Sequence, residues 1–471
     1  MPEQKTWRHM PEQLTIAKDN EVLRRISPSL DESDYLVGGS VRDLLLGKDP
    51  LDYDILTFGN VWEKAVLLAA CIGSKPFWMD EVRGIARTVS RQGITIDVCA
   101  PKGDTLDEDL KNRDITINAI ALNLSKMEIF DPACGIEDLN KKVIRAVTEK
   151  GFLDDALRTL RCLRFAAVLE FSIEQGTSAL IVKYAPGLKN VAPERIKQEL
   201  ASALSYRNGT RIFGLMEKTG IREILFPGYN DIYQGVYHRW PLIKHAILAA
   251  EAADGIINQA DELLPGAGNI LAVEIEDGID RACLLRFAAF IHDIGKPSTR
   301  EDAENGMVHF YSHAGVGAQL AAGLCRNLRF SSAFCSKISG LIEMHMRVLD
   351  LACGGIMTIK AMHRLIKSAD GFVPELLLLS YSDAIATGKD PGYKGAKTDI
   401  EEIIRRIWTY YTDVYLKNRI QPLLNGNDVM AGLGIRPGPE VGRLLGMVEE
   451  ARAEGLISNR KEALDFIRSK S

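Results

Sequence analysis

The sequence predicts an α+β head with a mixed sheet, followed by two or three all-α units. Three observations point there. At 471 residues the chain is longer than one ordinary domain. From Tyr35 to about Val147, short β-type runs alternate with helical segments. After Gly151 the strand signals fade, and amphipathic stretches such as ALRTLRCLRFAAVL and PERIKQELASAL take over.

Taken in order, residues 1–27 mix charged and apolar side chains and read as a helix or a lead-in. Residues 28–150 form the head, with YLVGG, DYDIL, ITIDVCA, ITINAIAL and MEIFD as its strand-like runs. A helical neck follows over 151–230, then a second helical unit over 231–390 and a helical tail over 391–471. Breaks are expected near Gly228–Tyr233, around Pro265–Gly268 and across GKDPGYKGAK at 388–397. There is no internal repeat or low-complexity tract.

Composition narrows the function. An apolar share of 46% beside 26% charged residues supplies ample core, yet no run of 18 apolar residues occurs, so no membrane span is expected. The opening MPEQKTWRHM lacks the apolar stretch of a secretion signal. Eight cysteines without a C-x-x-C pair suit a reducing, cytoplasmic location. A net charge of −5 argues against coating nucleic acid along the whole length. A local basic groove is still compatible with it, and the window 141–165 carries seven Lys/Arg against three Asp/Glu.

The most informative segment is YLVGGSVRDLLLGKDPLDYDILTFG. An apolar strand enters Gly38–Gly39 and Ser40, where a new helix carrying Arg42 begins, so backbone N–H groups and a guanidinium are available to an anion. Asp52 and Asp54 lie two apart on a strand and therefore share a face. Paired carboxylates on one face are costly without a cation, and an all-oxygen site favours Mg²⁺. Asp97 in ITIDVCA is a candidate third carboxylate, which suits two-metal nucleotidyl transfer. A lone D-x-D is usually solvated surface, and the glycine turn at this spacing is what favours chemistry. GKPST at 295–299 lacks the glycine pattern of a phosphate-binding P-loop.

This segment resembles the signature of the class II tRNA nucleotidyltransferase and bacterial poly(A) polymerase family, and further elements follow in order over about residues 35–227. NRDITINAIAL (112–122) is similar to the family's R-R-D-x-T-x-N-A element, which implies nucleotide contacts by Arg113, Asp114 and Asn118 beside those of Gly38, Gly39, Ser40 and Arg42. DPACGIEDLNKKVIRAV (131–147) and PERIKQEL (193–200) resemble the elements that link and brace head and neck. DDALRTLRCLRF (154–165) resembles E-D-P-L-R-x-L-R-x-x-R-F. Periodicity alone reads it as a helix with a charged row (Asp155, Arg158, Arg161, Arg164) and an inward row (Leu157, Leu160, Leu163). The resemblance implies more. Asp155 and Arg158 would act as a protein template for the base of CTP or ATP, and Arg161 and Arg164 would hold the triphosphate. Asn112, Asp154 and Ala156 depart mildly from the pattern, and the short connection from Val98 to Asp109 keeps a CC-adding specialist open.

A second resemblance lies downstream. His245, His292–Asp293 in FAAFIHDIGKPST, His313, His345 and Asp383 follow the H…HD…H…H…D order of HD phosphohydrolases. It implies a metal site of His245, His292, Asp293 and Asp383, with His313 and His345 serving a second metal. Mixed imidazole and carboxylate ligands suit Mn²⁺, Ni²⁺, Co²⁺ or Mg²⁺ better than structural zinc. His309 has no assigned role, and His9, His238 and His363 read as ordinary residues. The tail (424–468) resembles the C-terminal segment of bacterial tRNA nucleotidyltransferases, and its Gly434–Gly442 turn reads equally as an RNA-phosphate contact or a structural hairpin. Together these imply an elongated, Mg²⁺-dependent enzyme that adds C and/or A to the 3′ end of tRNA from CTP and ATP. Alternatives are a CC- or A-adding specialist, a poly(A) polymerase, or an HD phosphohydrolase whose head only binds nucleotides.

Overall fold

The computed structural model describes residues 6–7, 19–235, 239–304, 307–353, 357–369, 371–387 and 396–470. His9, His238 and most of the break anticipated at 388–397 lie outside them. The chain forms two compact units, Met1–Val191 with Leu215–Ile224, and Ala192–Gly214 with Leu225–Ser471. The stretch expected as one neck, 151–230, is thus shared between the two. No helix among the described residues is long and apolar enough to cross a membrane.

The first unit is organised by an eight-stranded mixed sheet. Its strands are β1 (Thr6–Trp7), β2 (Asp34–Val37), β3 (Asp52–Thr57), β4 (Pro76–Asp80), β5 (Ile85–Val89), β6 (Thr95–Cys99), β7 (Ala121–Asn123) and β8 (Glu128–Phe130). Across the sheet they run β1-β8-β7-β2-β3-β6-β5-β4. Only β3 and β6 are parallel neighbours. Alternation along the strands sends Tyr53, Ile55, Ile96, Val98 and Ala86 into the core, where the helix Val61–Cys71 contributes Ala65, Leu68 and Ala69. The same alternation puts Asp52, Asp54 and Asp97 together on the opposite face.

Three local features differ from the sequence expectation. The lead-in adds the strand β1 to the kind of helix expected there, Glu21–Ile26, which is capped by the Asn20 side chain. ITINAIAL opens as a tight turn, Thr116–Asn118, before β7. β4 and β5 extend the sheet beyond the predicted runs, and the edge strand β4 exposes Phe77 and Met79, which blurs its polar–apolar alternation. Among the described residues beyond Gly151, the elements are helical apart from short ribbons: Ser172–Ile173 beside Val143–Ile144, Glu274–Glu276 beside Ile279–Asp280, and Glu301–Asp302 beside Val308–His309. Two or three residues are too few to show a period.

In the second unit, the helices Leu242–Ile257, Arg281–Ile291, His313–Asn327, Ser332–Cys353 and Val373–Ala386 surround an aromatic core. Phe213 and Phe290 stack with centroids 3.9 Å apart, and Phe226, Phe287, Phe330 and Phe334 pack around them. Among these apolar groups Arg286 is buried. It donates to Asp254 Oδ1 at 2.8 Å and to the Leu204 carbonyl at 2.9 Å. The tail has its own small core, including Val429, Leu444, Val448 and Ile467. The helix Gly426–Leu433 within it starts with an Asn425 capping box and ends at Gly434, whose φ of 68° suits glycine; Pro439 opens the next helix.

Candidate active site and metal centre

In the head, register brings the acidic residues together. β3 pairs with β6 so that Asp54 lies opposite Asp97, with Asp52 two residues along on the same face. Ser40 fixes this strand, its hydroxyl donating to the Asp52 carbonyl at 2.9 Å and accepting from the Asp54 amide at 2.9 Å. Gly38 adopts φ +70°, and a Cβ there would meet Arg113 Nη1 at 2.8 Å and Asp54 Oδ2 at 3.3 Å. Only glycine leaves that space open. Burial pushes the Asp54 carboxyl up to about 6; Arg113 opposes the rise, and Asp97 and Asp52 add to it. Carboxylates crowded this way suit a hard divalent cation. Asp97 is also held by Arg87 from β5 in a bidentate pair at 2.6 and 2.7 Å. Arg87 went unnoticed in the sequence because its link to Asp97 runs across strands.

A second layer organises the arginines. Arg42 donates to Asn118 Oδ1 at 2.8 Å, and Asn118 donates to Asp114 Oδ1 at 3.2 Å. Asp114 Oδ2 receives Arg161 at 2.7 and 2.9 Å. Burial alone would raise Asp114, but Arg161 holds its carboxyl well below the usual carboxylate range. Arg42, Arg161 and Arg164 place their guanidiniums 5.2, 5.7 and 4.0 Å from the centroid of Phe165. Phe165 thus emerges as the ring around which three cations gather, a role invisible to spacing. Arg113 is held by Asp109 at 3.0 and 3.1 Å.

The expected template pair sits differently from a helical row. Asp155 is extended and precedes the helix Leu157–Leu169, its Oδ1 accepting from the Leu157 amide at 3.2 Å. Arg158 reaches back to the carbonyls of Arg113 and Asn112 at 2.8 and 2.6 Å. Gly151 makes room for it, since a Cβ there would lie 2.3 Å from Arg158 Nη1. Leu157, Leu160 and Leu163 point into the core.

In the second unit, the His and Asp residues singled out from the sequence converge. His245 and His292 approach through Nε2 at 3.2 Å, and His313 and His345 through Nε2 at 3.4 Å. Asp293 lies between the pairs, with Oδ2 3.2 Å from His292 and 3.6 Å from His245, and Oδ1 3.5 Å from His313 and 3.7 Å from His345. Asp383 Oδ1 lies 3.1 Å from His245. Nδ1 of His292, His313 and His345 each meets the carbonyl three residues earlier, at 2.9, 2.8 and 2.6 Å. A carbonyl only accepts, so Nδ1 carries the proton and, in a neutral ring, Nε2 turns a lone pair to the centre. Facing Nε2 atoms that become ligands once deprotonated, and a buried Asp293 Oδ1 without a hydrogen-bond partner, fit divalent cations. Burial alone would lower His292, yet Asp293 and Asp383 hold it up to about 10; burial and the charge on His292 push His345 down to about 4. Lys296 of the GKPST segment is buried against Asp293 Oδ2 at 2.7 Å and Gln234 at 2.8 Å, far from a P-loop role. His363 is buried apart from this cluster, at Tyr410.

Three family models match the chain: Poly A polymerase head domain over 34–145, probable RNA and SrmB- binding site of polymerase A over 170–233, and HD domain over 267–407. An A-adding tRNA nucleotidyltransferase of Deinococcus radiodurans is 30% identical over 92% of this chain and 94% of its own. A CC-adding tRNA nucleotidyltransferase of Thermus thermophilus is 32% identical over 92% of each. The chain belongs to the tRNA nucleotidyltransferase family. The fold agrees, since a CCA-adding enzyme in its apo form superposes with a TM-score of 0.69 at 21% identity, covering 98% of this chain and 97% of the other. The HD match begins after His245, and the tertiary structure is what brings that residue to Asp383. Nucleotidyltransferase heads and HD domains both typically use divalent metals.

Proposed function

We propose that this tRNA nucleotidyltransferase extends the 3′ end of tRNA with C and/or A from CTP and ATP without a nucleic-acid template, and that its HD cluster hydrolyses phosphoesters. The alignment of Asp52, Asp54 and Asp97 on one sheet face beside the Gly38–Gly39 turn carries the first part of the reading. These carboxylates would hold Mg²⁺, which when bound supplies activation of the RNA hydroxyl and charge neutralisation at the triphosphate. The chain's own residues do the rest. Ser40 holds the carboxylate strand in place, and Gly38 lets Arg113 and Asp54 approach. Arg42, Arg161 and Arg164 form the cationic surround for the triphosphate, with Asn118 setting the position of Arg42, Asp114 that of Arg161, and Phe165 lying against Arg164.

Asp155 and Arg158 would read the base. A carboxylate accepts from the exocyclic amine of C or A, whereas U or G would bring a carbonyl oxygen against it and leave acceptors unpaired. In the HD cluster, His245, His292, Asp293 and Asp383 would hold one divalent ion, and His313 and His345 a second through the other oxygen of Asp293. The tail, 391–471, would contact RNA.

Relatives of both A-adding and CC-adding type support the family reading without choosing between products. The deciding measurement is product length on tRNA lacking its 3′ end, with CTP and ATP supplied separately and together. Two added C residues with CTP alone, and a third A when ATP joins, is the CCA outcome. Arrest at two C or at one A identifies a specialist, and a long A tract identifies a poly(A) polymerase. No incorporation under any condition, with phosphoester hydrolysis intact, would instead leave a phosphohydrolase whose head only binds nucleotides.

A further inference from the structure

In the head, strand register fixes more than the three carboxylates. Asp54 lies opposite Asp97, Asp97 opposite Arg87, and Arg87 opposite Phe77, so one row crosses β3, β6, β5 and β4 on a single face. The adjacent row runs from Asp52 through Thr95 to Val89. The neighbours of Phe77 turn the other way. Ala86 is buried, and Trp78 opposite it stacks on Trp62 of the helix Val61–Cys71 with centroids 5.0 Å apart. The carboxylate face therefore continues to the sheet edge, where it presents Phe77 at 46% and Val89 at 41% exposure. At about 4.8 Å per strand, Phe77 lies about 14 Å from Asp54 along the row and about 10 Å from Asp97. Phe77 makes no ring contact among the described residues. Lys75, two residues ahead of it, and Arg91, in the turn between β5 and β6, are exposed and form no ion pair among the described residues. An open aromatic ring flanked by unpaired cations suits single-stranded nucleic acid, whose bases stack on the ring while its phosphates meet the cations.

Which strand would lie there follows from the other flank of the carboxylates. The Gly38–Gly39 turn and Arg42 follow β2, which borders β3 on the side away from β6, and Arg113 meets Asp54 beside Gly38. In the function proposed above, on which this inference rests, the triphosphate occupies that flank. Transfer proceeds in line, with attacking and leaving oxygens on opposite sides of the phosphorus. The attacking 3′-hydroxyl then arrives over β6, and the RNA behind it continues across β5 and β4. We propose that Phe77 is a stacking platform for an unpaired nucleotide of the acceptor RNA, with Val89 beneath the same segment and Lys75 and Arg91 at its phosphates. At about 3.4 Å per stacked nucleotide, the platform meets a base about three or four nucleotides behind the reacting hydroxyl.

Steady-state incorporation into tRNA lacking its 3′ end, from CTP and ATP and with the full chain, tests this. Phe77→Ala should raise the KM for the tRNA about tenfold, within the range that loss of one aromatic–base stack produces, and leave the KM for the nucleotides as in the wild type. Phe77→Trp should restore the wild-type value. Phe77→Leu should not, because leucine keeps the apolar area and offers no π-face. An unchanged KM for tRNA in Phe77→Ala, or a wild-type KM in Phe77→Leu, overturns the proposal. So does a change confined to the sedimentation coefficient, which would mark the β4 edge as a contact between copies of the chain. Lys75→Ala should lower the slope of log KM for tRNA against log salt by about 0.7, the contribution of one phosphate contact on a single strand, and an unchanged slope overturns that contact. A wild type that incorporates nothing would defeat the transfer reading, and the platform is then judged by anisotropy of a labelled single-stranded oligoribonucleotide. Weaker binding by Phe77→Ala supports the platform, and equal binding overturns it.

Discussion

In the head, three carboxylates reach one face because two parallel strands share a register; in the second unit, four imidazoles and two carboxylates reach one point because separate helices bring their ligands together. The two centres also differ in how they manage charge. The head meets part of its own negative charge, with Arg87 on Asp97 and Arg113 near Asp54. The HD cluster turns Nε2 atoms toward one another and leaves one oxygen of Asp293 unmatched. A strand pair carries its site as a by-product of sheet formation, whereas a helical convergence forms a site only when the whole unit is folded.

The largest expected effect separates the centres outright. Asp54→Asn should lower nucleotide incorporation by about 10³-fold or more if, as proposed, this carboxylate holds Mg²⁺ for the transfer step. Hydrolysis at the HD cluster should be unchanged. Burial pushes the Asp54 carboxyl up to about 6, so above pH 6 its charge costs stability, and a neutral amide should raise the melting temperature of the metal-free protein, an advantage that fades as pH falls below 6. Parallel loss of both activities would show that the two centres are coupled. The converse change, Asp293→Asn, should reduce Mn²⁺ uptake at both HD subsites, because one residue faces both histidine pairs. A drop of about 100-fold in affinity is expected by equilibrium dialysis, with incorporation retained. Loss of only one ion per chain would mean that Asp293 serves a single subsite.

The dependence of the HD centre on the whole unit can be probed away from its ligands. Arg286→Met leaves the Asp254 charge buried with the Thr210 hydroxyl but without its ion-pair partner, at about 3–5 kcal/mol in unfolding free energy. HD hydrolysis should then disappear at a lower denaturant concentration than in the wild type. Incorporation should disappear later than hydrolysis if the head folds independently. A common midpoint would show one cooperative unit.

The same contrast explains what could be read from sequence. Asp52 and Asp54 announce themselves through strand alternation, and the glycine turn twelve or more residues earlier marks the same site. Arg87 and Asp109 could not be seen, because the partner of one is on a neighbouring strand and the other acts by clamping Arg113. The regular spacing of Asp155, Arg158, Arg161 and Arg164 suggested one helical row. The structure breaks that row, since Asp155 lies ahead of the helix and Arg158 turns to the backbone of Asn112 and Arg113 while Arg161 and Arg164 gather at Phe165. For the HD residues the order was legible but the geometry was not; His313 and His345 meet only because the helices that carry them pack together. β4 escaped notice for a different reason, as an edge strand with apolar residues facing solvent obeys neither period.

The smallest expected effect tests how finely the head depends on local fit. Gly151 lies in the short helix Lys150–Asp154, so replacement by alanine should by itself favour folding, by about 0.5–1 kcal/mol. The added Cβ would meet Arg158 Nη1 at 2.3 Å, however, and force the guanidinium off the carbonyls of Arg113 and Asn112. Two charge-assisted hydrogen bonds are then weakened, at about 1.5–3 kcal/mol if one is lost. The steric term therefore outweighs the helical gain, and Gly151→Ala should destabilise the head by about 1–2 kcal/mol and raise the KM for CTP and ATP. A double-mutant cycle isolates the cause. In an Arg158→Ala background the guanidinium is gone, and Gly151→Ala should become neutral or slightly stabilising. Additive destabilisation in the double variant would show that Gly151 serves the backbone and not Arg158, and the dependence of this binding surface on a single missing methyl group would be refuted.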